Sequence, residues 1–226
     1  LAAIIQKNAP TYKCKVAYIP EFLRLGIAVE TFQQADRFVI GCDDPAVAER
    51  IADLYRPLER PIVFTDIRSA EMAKHASNAY LSTSISFINE ISNLCEVLDA
   101  DATEVARILK LDKRIGKYAF LSPGLGFAGG TLGREIRALQ KLGAANQMPV
   151  PLMDAVWQVN SQRARLVSQR LSSALGKLDG HQIGILGLTY KAGTSTMRRA
   201  ISLDIVRDLI RQGATVNNKI RDISDR

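Results

Sequence analysis

Between positions 120 and 130 the chain reads FLSPGLGFAGG, with Gly124, Gly126, Gly129 and Gly130 following Pro123, and then passes into a helical pattern that ends near Gly143. A glycine-rich loop that feeds a helix presents backbone N–H groups at the positive end of the helix dipole, which is chemistry suited to an anion. The charge distribution agrees. Residues 101–226 carry 20 lysines and arginines against 10 acids, net +10, whereas residues 1–100 carry 10 against 13, net −3, so the second part attracts phosphates. Tyr118, Phe120, Phe127, Trp157 and Tyr190 are too sparse for a base-stacking surface, which puts a small anionic ligand ahead of nucleic acid. Cys14, Cys42 and Cys95 are widely spaced without a CxxC, and His75 and His181 stand at no ligand spacing. Neither a disulfide framework nor a metal site is indicated, and a reducing cytoplasm is the default compartment.

The elements that must position such a loop can be read from pattern. Of the 226 residues 47% are hydrophobic and 23% charged, the composition of a folded soluble protein. No apolar run reaches the eighteen or so residues of a membrane span. The opening leucine in place of methionine suggests a fragment. Short β-type runs at KVAYI (15–19), FVIG (38–41) and IVFT (62–65), with the helical pattern PAVAERIADLY before the last, read as part of a parallel α/β sheet. No glycine-rich phosphate loop precedes them, so a dinucleotide-binding βαβ unit is not visible. Residues 69–100 lack proline and glycine, and Met72, Ala76, Ala79, Thr83, Phe87, Ile91, Leu94 and Leu98 recur at helical spacing; this predicts one helix of roughly 48 Å. A helix that long packs against a second helical layer or a partner subunit. The tetrad DATE (101–104) caps the next helix, and a further one spans 151–175, closed by Gly176. QIGILGLTY, RAISLDIVRDLIRQG and ATV then read as strand, amphipathic helix and strand.

Four stretches, PEFLRLGIA (20–28), EMAKHASNAYLSTSISFINE (71–90), DKRIGKYAFLSPGLGFAGGTLGREIRAL (112–139) and ILGLTYKAGTSTMR (185–198), together resemble the UDP-glucose/GDP-mannose dehydrogenase family. The resemblance implies an α/β architecture in three parts: the C-terminal part of an NAD-binding domain at 1–67, a central all-helical dimerisation domain with one long helix at 68–176, and the start of a second Rossmann-like, UDP-binding domain at 177–226. That family oxidises the C6 alcohol of a nucleotide sugar to a carboxylate with two NAD molecules, through a cysteine-bound thiohemiacetal. Carried over, Glu21, Lys74, Asn78 and Glu135 are the acid/base and orienting set. Lys74 and Asn78 are four apart on one helical face, so both heads can converge on one oxygen, and a lysine there stabilises a developing alkoxide. Phe22, Leu23, Arg114, Phe120, Leu121, Gly126, Phe127 and Lys191 stand at substrate-contacting positions, with Arg114 reaching into the partner subunit of a homodimer. Arg134 and Arg198 stand at cofactor-contacting positions. No metal is implied.

The chain departs from the family at the nucleophile. Where the motif GFGGSCFPKD has its cysteine, this chain reads GFAGGTLGRE and places Thr131. A threonine hydroxyl needs a strong activating base where a thiolate does not, which limits the implied reaction to a two-electron step. Thr131 also stands where Ser, Thr or Asp cap helices, and a hydroxyl that caps GREIRAL needs no catalytic role. Leu25 replaces a second glutamate, Arg134 a lysine, and STMRRA a stretch with acids around its arginine. Cys95 lies on the long helix, remote in motif order. A second reading is therefore a catalytically silent homologue acting as a dimerisation or regulatory module; a third and weaker one is nucleic-acid binding by the basic part.

Overall fold

The computed structural model describes residues 2–11 and 14–219. The chain separates into two compact units, Leu1–Ser77 and Asn78–Arg226. The mixed α/β architecture is as the sequence indicates, and residues 220–226 of the polar C-terminal stretch lie outside the described residues.

In the first unit α1 (Ala2–Asn8) precedes β1 (Ala17–Tyr18), α2 (Ala28–Gln33), β2 (Phe38–Cys42), α3 (Pro45–Tyr55), a 3-10 turn (Arg56–Leu58) and β3 (Ile62–Thr65). The sheet order is β1-β2-β3, and β2 pairs β3 in parallel from Phe38 opposite Ile62 to Gly41 opposite Thr65. The expectation of a wholly parallel sheet needs correcting at β1, which runs antiparallel to β2. A parallel pairing would need a crossover helix packed on the sheet, and α2, with six residues and none of them buried, does not supply one. Asp44 caps α3 by accepting the N–H groups of Ala46 and Val47, and Pro45 sits in the first turn, where its missing N–H costs nothing. Ala48 and Ala52 on α3 close against Ile40 of β2, with Ile19, Ile51 and Ile62 around them.

The long helix α4 (Ile67–Val97) belongs to both units by sequence. It starts two residues before the expected position because Asp66 accepts the Ser69 N–H at 2.9 Å. It stops at Val97 without a glycine: Asp99 takes the left-handed conformation, φ 54°, and the Ala100 N–H reaches back to the Cys95 carbonyl. Aspartate tolerates that region better than most side chains, so it terminates the helix.

In the second unit α5 (Ala102–Leu111) is capped by Asp101, which accepts from Thr103 and Glu104 N–H as the DATE tetrad indicates. There follow α6 (Leu132–Ala145), α7 (Pro151–Leu175), β4 (Gln182–Leu186), α8 (Ile201–Arg211) and β5 (Thr215–Lys219), with β4 and β5 parallel. Three apolar clusters hold this unit. Ile88, Ala106 and Leu121 join α4, α5 and the loop after it. Ala79, Phe127, Ile136 and Val156 join α4, α6 and α7, and Ala164, Leu178, Ile205, Leu209 and Ala214 seat α8 between α7 and the β4–β5 pair. The buried Ile205 and Leu209 each contribute about 1.5–3 kcal/mol by leaving water. Among the described residues no helix is long and apolar enough to cross a membrane.

Candidate functional site

Within the first unit the turn after β1 brings Glu21, Phe22 and Lys74 together. The Glu21 carboxylate accepts the Leu23 N–H at 2.8 Å, which folds PEFL into a tight turn. Lys74, on the first turns of α4, donates its Nζ to the Glu21 carbonyl and stands 3.9 Å from the Glu21 carboxylate. The same Nζ lies 4.8 Å from the centroid of the Phe22 ring, and the Arg37 guanidinium lies over that ring at the same distance. A half-buried ammonium is thus fixed by a carbonyl and an aromatic face, while the Glu21 carboxylate and Leu23 stay exposed. Arg37 was not among the residues singled out from sequence; a basic residue ahead of a strand carries no distinguishing signal.

In the second unit Asn78 is 7% exposed, and its Nδ2 has no hydrogen-bond partner among the described residues. A buried amide left unpaired costs about 1–3 kcal/mol, a cost that a ligand oxygen would remove. Glu135, 4% exposed, accepts from Arg134 through Nε at 3.2 Å and Nη2 at 3.0 Å. Thr131 occupies the position before α6, but its side chain makes no capping bond. The capping expectation for its hydroxyl fails because the residue is already near helical geometry, φ −106° and ψ −69°, whereas a side-chain cap needs an extended residue. Only the Thr131 carbonyl joins the helix, accepting the Glu135 N–H.

The glycine loop is clamped from three sides. Asn89 Oδ1 accepts the Gly124 N–H at 2.8 Å, and Asn160 takes both polar groups of Phe127, its Oδ1 accepting the N–H and its Nδ2 donating to the carbonyl. Arg163, 6% exposed, donates to the Gly124 carbonyl and, through Nη1, to Asn93 Oδ1 at 2.7 Å. Burial and the nearby Arg170 push its guanidinium below the ordinary value, with Glu96 opposing. Gly126 has φ 95°, and a Cβ there would collide with Asn160 Oδ1; Gly129 has φ 81°, and a Cβ there would come within 2.8 Å of the Tyr190 ring. The loop that carries YKAGTSTMR therefore docks directly on Gly129, whose N–H also donates to the Arg199 carbonyl at 2.9 Å. Asn89, Asn160 and Arg163 were missed from sequence because single polar residues inside long helices look like solvated faces.

The remaining sequence-indicated residues are placed as follows. Leu121 and Phe127 bury most of their side chains in the core. Phe120 is partly exposed. Arg114 is largely exposed and forms a two-pronged pair with Asp112, Nη2 to Oδ2 at 2.6 Å. The pair holds the Asp112 carboxyl below its usual range and raises Arg114. The Lys191 carbonyl accepts the Thr194 hydroxyl at 2.7 Å, and Arg198 is exposed. Among the described residues no group of three or more His, Cys, Asp or Glu side chains is placed to hold a metal.

Comparison with known proteins bears on this arrangement directly. Residues 1–59 match the NAD binding domain, and residues 68–162 the central domain, of the UDP-glucose/GDP-mannose dehydrogenase family. UDP-glucose 6-dehydrogenase TuaD of Bacillus subtilis is 38% identical over 215 residues, covering 95% of this chain and 46% of that protein. A UDP-glucose 6-dehydrogenase of Rickettsia bellii is 39% identical over 209 residues, 91% of this chain and 48% of its own. The solved UDP-glucose dehydrogenase of Pyrobaculum islandicum superposes with a TM-score of 0.93 at 35% identity, over 96% of this chain and 50% of that one. The chain spans about half the length of the curated relatives it matches. With two adjoining family matches in register and the same fold in a solved relative, the chain belongs to the UDP-glucose/GDP-mannose dehydrogenase family.

Proposed function

We propose that this chain forms part of an NAD-dependent nucleotide-sugar dehydrogenase that oxidises the C6 alcohol of a UDP-sugar and stops after one two-electron step. The observation that carries the reading is the buried Asn78 Nδ2 without a partner: an oriented N–H donor kept dry is suited to a substrate oxygen whose negative charge grows during reaction. Lys74, held by the Glu21 carbonyl and the Phe22 ring, stabilises the alkoxide. Glu135 takes up the alcohol proton, and Glu21 orients water. Phe22, Leu23, Phe120, Leu121, Gly126, Phe127 and Lys191 contact the nucleotide sugar. NAD supplies the acceptor for the C6 hydride. The described residues offer it Arg134 and Arg198, while the β2–α3 turn gives it no pyrophosphate cradle, because the Asp44 carboxylate already accepts the N–H groups there. No proton step above depends on its placement.

The reading extends to assembly and boundaries. Tyr80, Phe87 and Leu94 recur every seven residues on α4 and are all exposed, which supports a homodimer through the central domain, with Arg114 crossing to the partner. The three-part division at 67 and 176 and a cytoplasmic location belong to the same proposal. One observation favours the silent alternative: the Thr131 side chain is exposed and has no hydrogen-bonded base among the described residues. The test uses the longest polypeptide the gene encodes, with a UDP-sugar and NAD, reading NADH stoichiometry and product mass. One NADH per sugar with an aldehyde or its hydrate, lost in Lys74→Ala, is expected. Two NADH with a uronate would overturn the limit set by Thr131, and no NADH at all would leave the silent reading.

A further inference from the structure

Within the second unit α6, α7 and α8 enclose a cleft of about 760 Å³ that shares only Phe127 and Arg134 with the residues assigned above, a volume within the usual range for small-molecule sites. Six arginines line it, Arg134, Arg137, Arg165, Arg199, Arg207 and Arg211, against the carboxylates of Asp204 and Asp208. So many like charges around one concavity repel one another and focus a positive potential into it. Arg134 is committed to the buried Glu135 carboxylate, but the other five are held more loosely. Arg207 pairs with Asp204 at 2.9 Å as an exposed i,i+3 neighbour, a class worth about 0–1 kcal/mol, and Arg211 reaches at 3.2 Å an Asp208 carboxylate whose other oxygen already accepts from Ser168 and Gln212. Arg199 donates only to the Gly130 carbonyl, at 3.3 Å, and the Arg165 side chain has no partner among the described residues. Arg137 is already oriented, its guanidinium stacked 4.0 Å over the Trp157 ring.

We propose that this cleft is a second ligand site, separate from the sugar-oxidising residues, for a small molecule bearing two or more phosphates. Arginine forks bind phosphate oxygens in pairs, and a diphosphate would engage guanidinium groups from α7 and α8 that now lack strong partners. Binding is tied to the glycine loop by Arg199. This residue holds a left-handed backbone, φ 56°, and its carbonyl accepts the Gly129 N–H. A non-glycine residue stays in that region only where its surroundings hold it there. A ligand that grips the Arg199 side chain therefore steadies the loop that leads into Thr131.

The test is calorimetry of this chain with inorganic pyrophosphate at low salt, using the double variant Arg165→Ala/Arg207→Ala and far-UV circular dichroism to confirm its fold. Both side chains are exposed, so the variant keeps its core. One site per chain is expected, weakened at least tenfold in the double variant and unchanged within twofold in Lys74→Ala. UDP serves as the second arm: a UDP component lost with the two arginines and tighter than pyrophosphate identifies a nucleotide, and equal affinity identifies the diphosphate alone. Equal pyrophosphate binding by the double variant would overturn the site. So would binding of duplex DNA but not of pyrophosphate, which would mark a nucleic-acid surface instead.

Discussion

Arg163 is the residue on which the shape of the glycine loop depends most, and replacing it with methionine tests that dependence. The methionine keeps most of the buried stem and removes the guanidinium. Lost are the bonds from Nε and Nη2 to the Gly124 carbonyl and from Nη1 to Asn93 Oδ1 at 2.7 Å. Each is a bond from a charged donor, worth about 1.5–3 kcal/mol, and part of that sum is returned because the guanidinium no longer has to be desolvated. The net cost is about 2–3 kcal/mol, which for a chain of this size lowers the melting temperature by about 4–12 °C. Arg163→Lys, which keeps the charge but cannot span both acceptors, should recover less than half of the loss. Hydrogen exchange localises the effect: the Gly124 and Phe127 amides, now held by Asn89 and Asn160, should exchange at least tenfold faster. A melting shift below about 2 °C together with unchanged exchange at these two amides would refute the reasoning, because the loop would then be holding itself.

Gly129→Ala adds a methyl group where φ is 81° and the Tyr190 ring lies 2.8 Å away, and should cost about 1–3 kcal/mol in urea unfolding. Adding Tyr190→Ala should relieve the contact but not the backbone strain, and a fully additive double-mutant cycle would contradict the docking of the two loops. Asp66 is held below the usual carboxylate range, chiefly by the Ser69 side chain and then by the Ser69 N–H. Its folded pKa lies under its unfolded one, so the stability it contributes is present above the unfolded value and is lost as pH falls through the folded value, below about pH 4. Asp66→Asn should flatten the fall of the urea midpoint below about pH 4, and an unchanged acid slope would show that the α4 cap contributes nothing.

The helices were legible where chemistry at their ends is local. Asp101 before α5 and the proline–glycine bracket around Pro151–Leu175 act within a turn of the chain, so four or five letters define them. The direction of β1 was not legible, because KVAYI reads the same whichever way its neighbour runs and the outcome rests on how little α2 buries. The long helix shows a subtler failure. The apolar letters read for it include Phe87, Leu94 and, just past its end, Leu98, which are exposed, whereas its buried residues include Asn78, Ser82, Ser86 and Asn89 beside Ala79, Ile88 and Cys95. Small polar side chains can occupy a core when each has a partner: Ser82 donates to the Asn78 carbonyl, Ser86 to the Val156 carbonyl, and Asn89 accepts from Gly124. Hydrophobic periodicity is blind to a face built this way.

That buried polar set also explains why the site was half legible. The motif letters Glu21, Lys74 and Glu135 are distinctive at their spacing, but the clamp on the glycine loop is spread over Asn89, Asn160 and Arg163, 35 or so positions from the glycines they hold. A long-range bond between an ordinary asparagine and a backbone amide leaves no local pattern. Within the buried polar set Asn78 differs from the others in one respect. Ser82, Ser86 and Asn89 have protein partners, whereas the Asn78 Nδ2 has none among the described residues. If Asn78 served packing alone, Asn78→Leu would remove an unsatisfied donor from a dry site and stabilise the fold. Retaining a polar group that a simple substitution would improve upon is what a ligand-directed residue should do. The same substitution would then raise the melting temperature and abolish oxidation together.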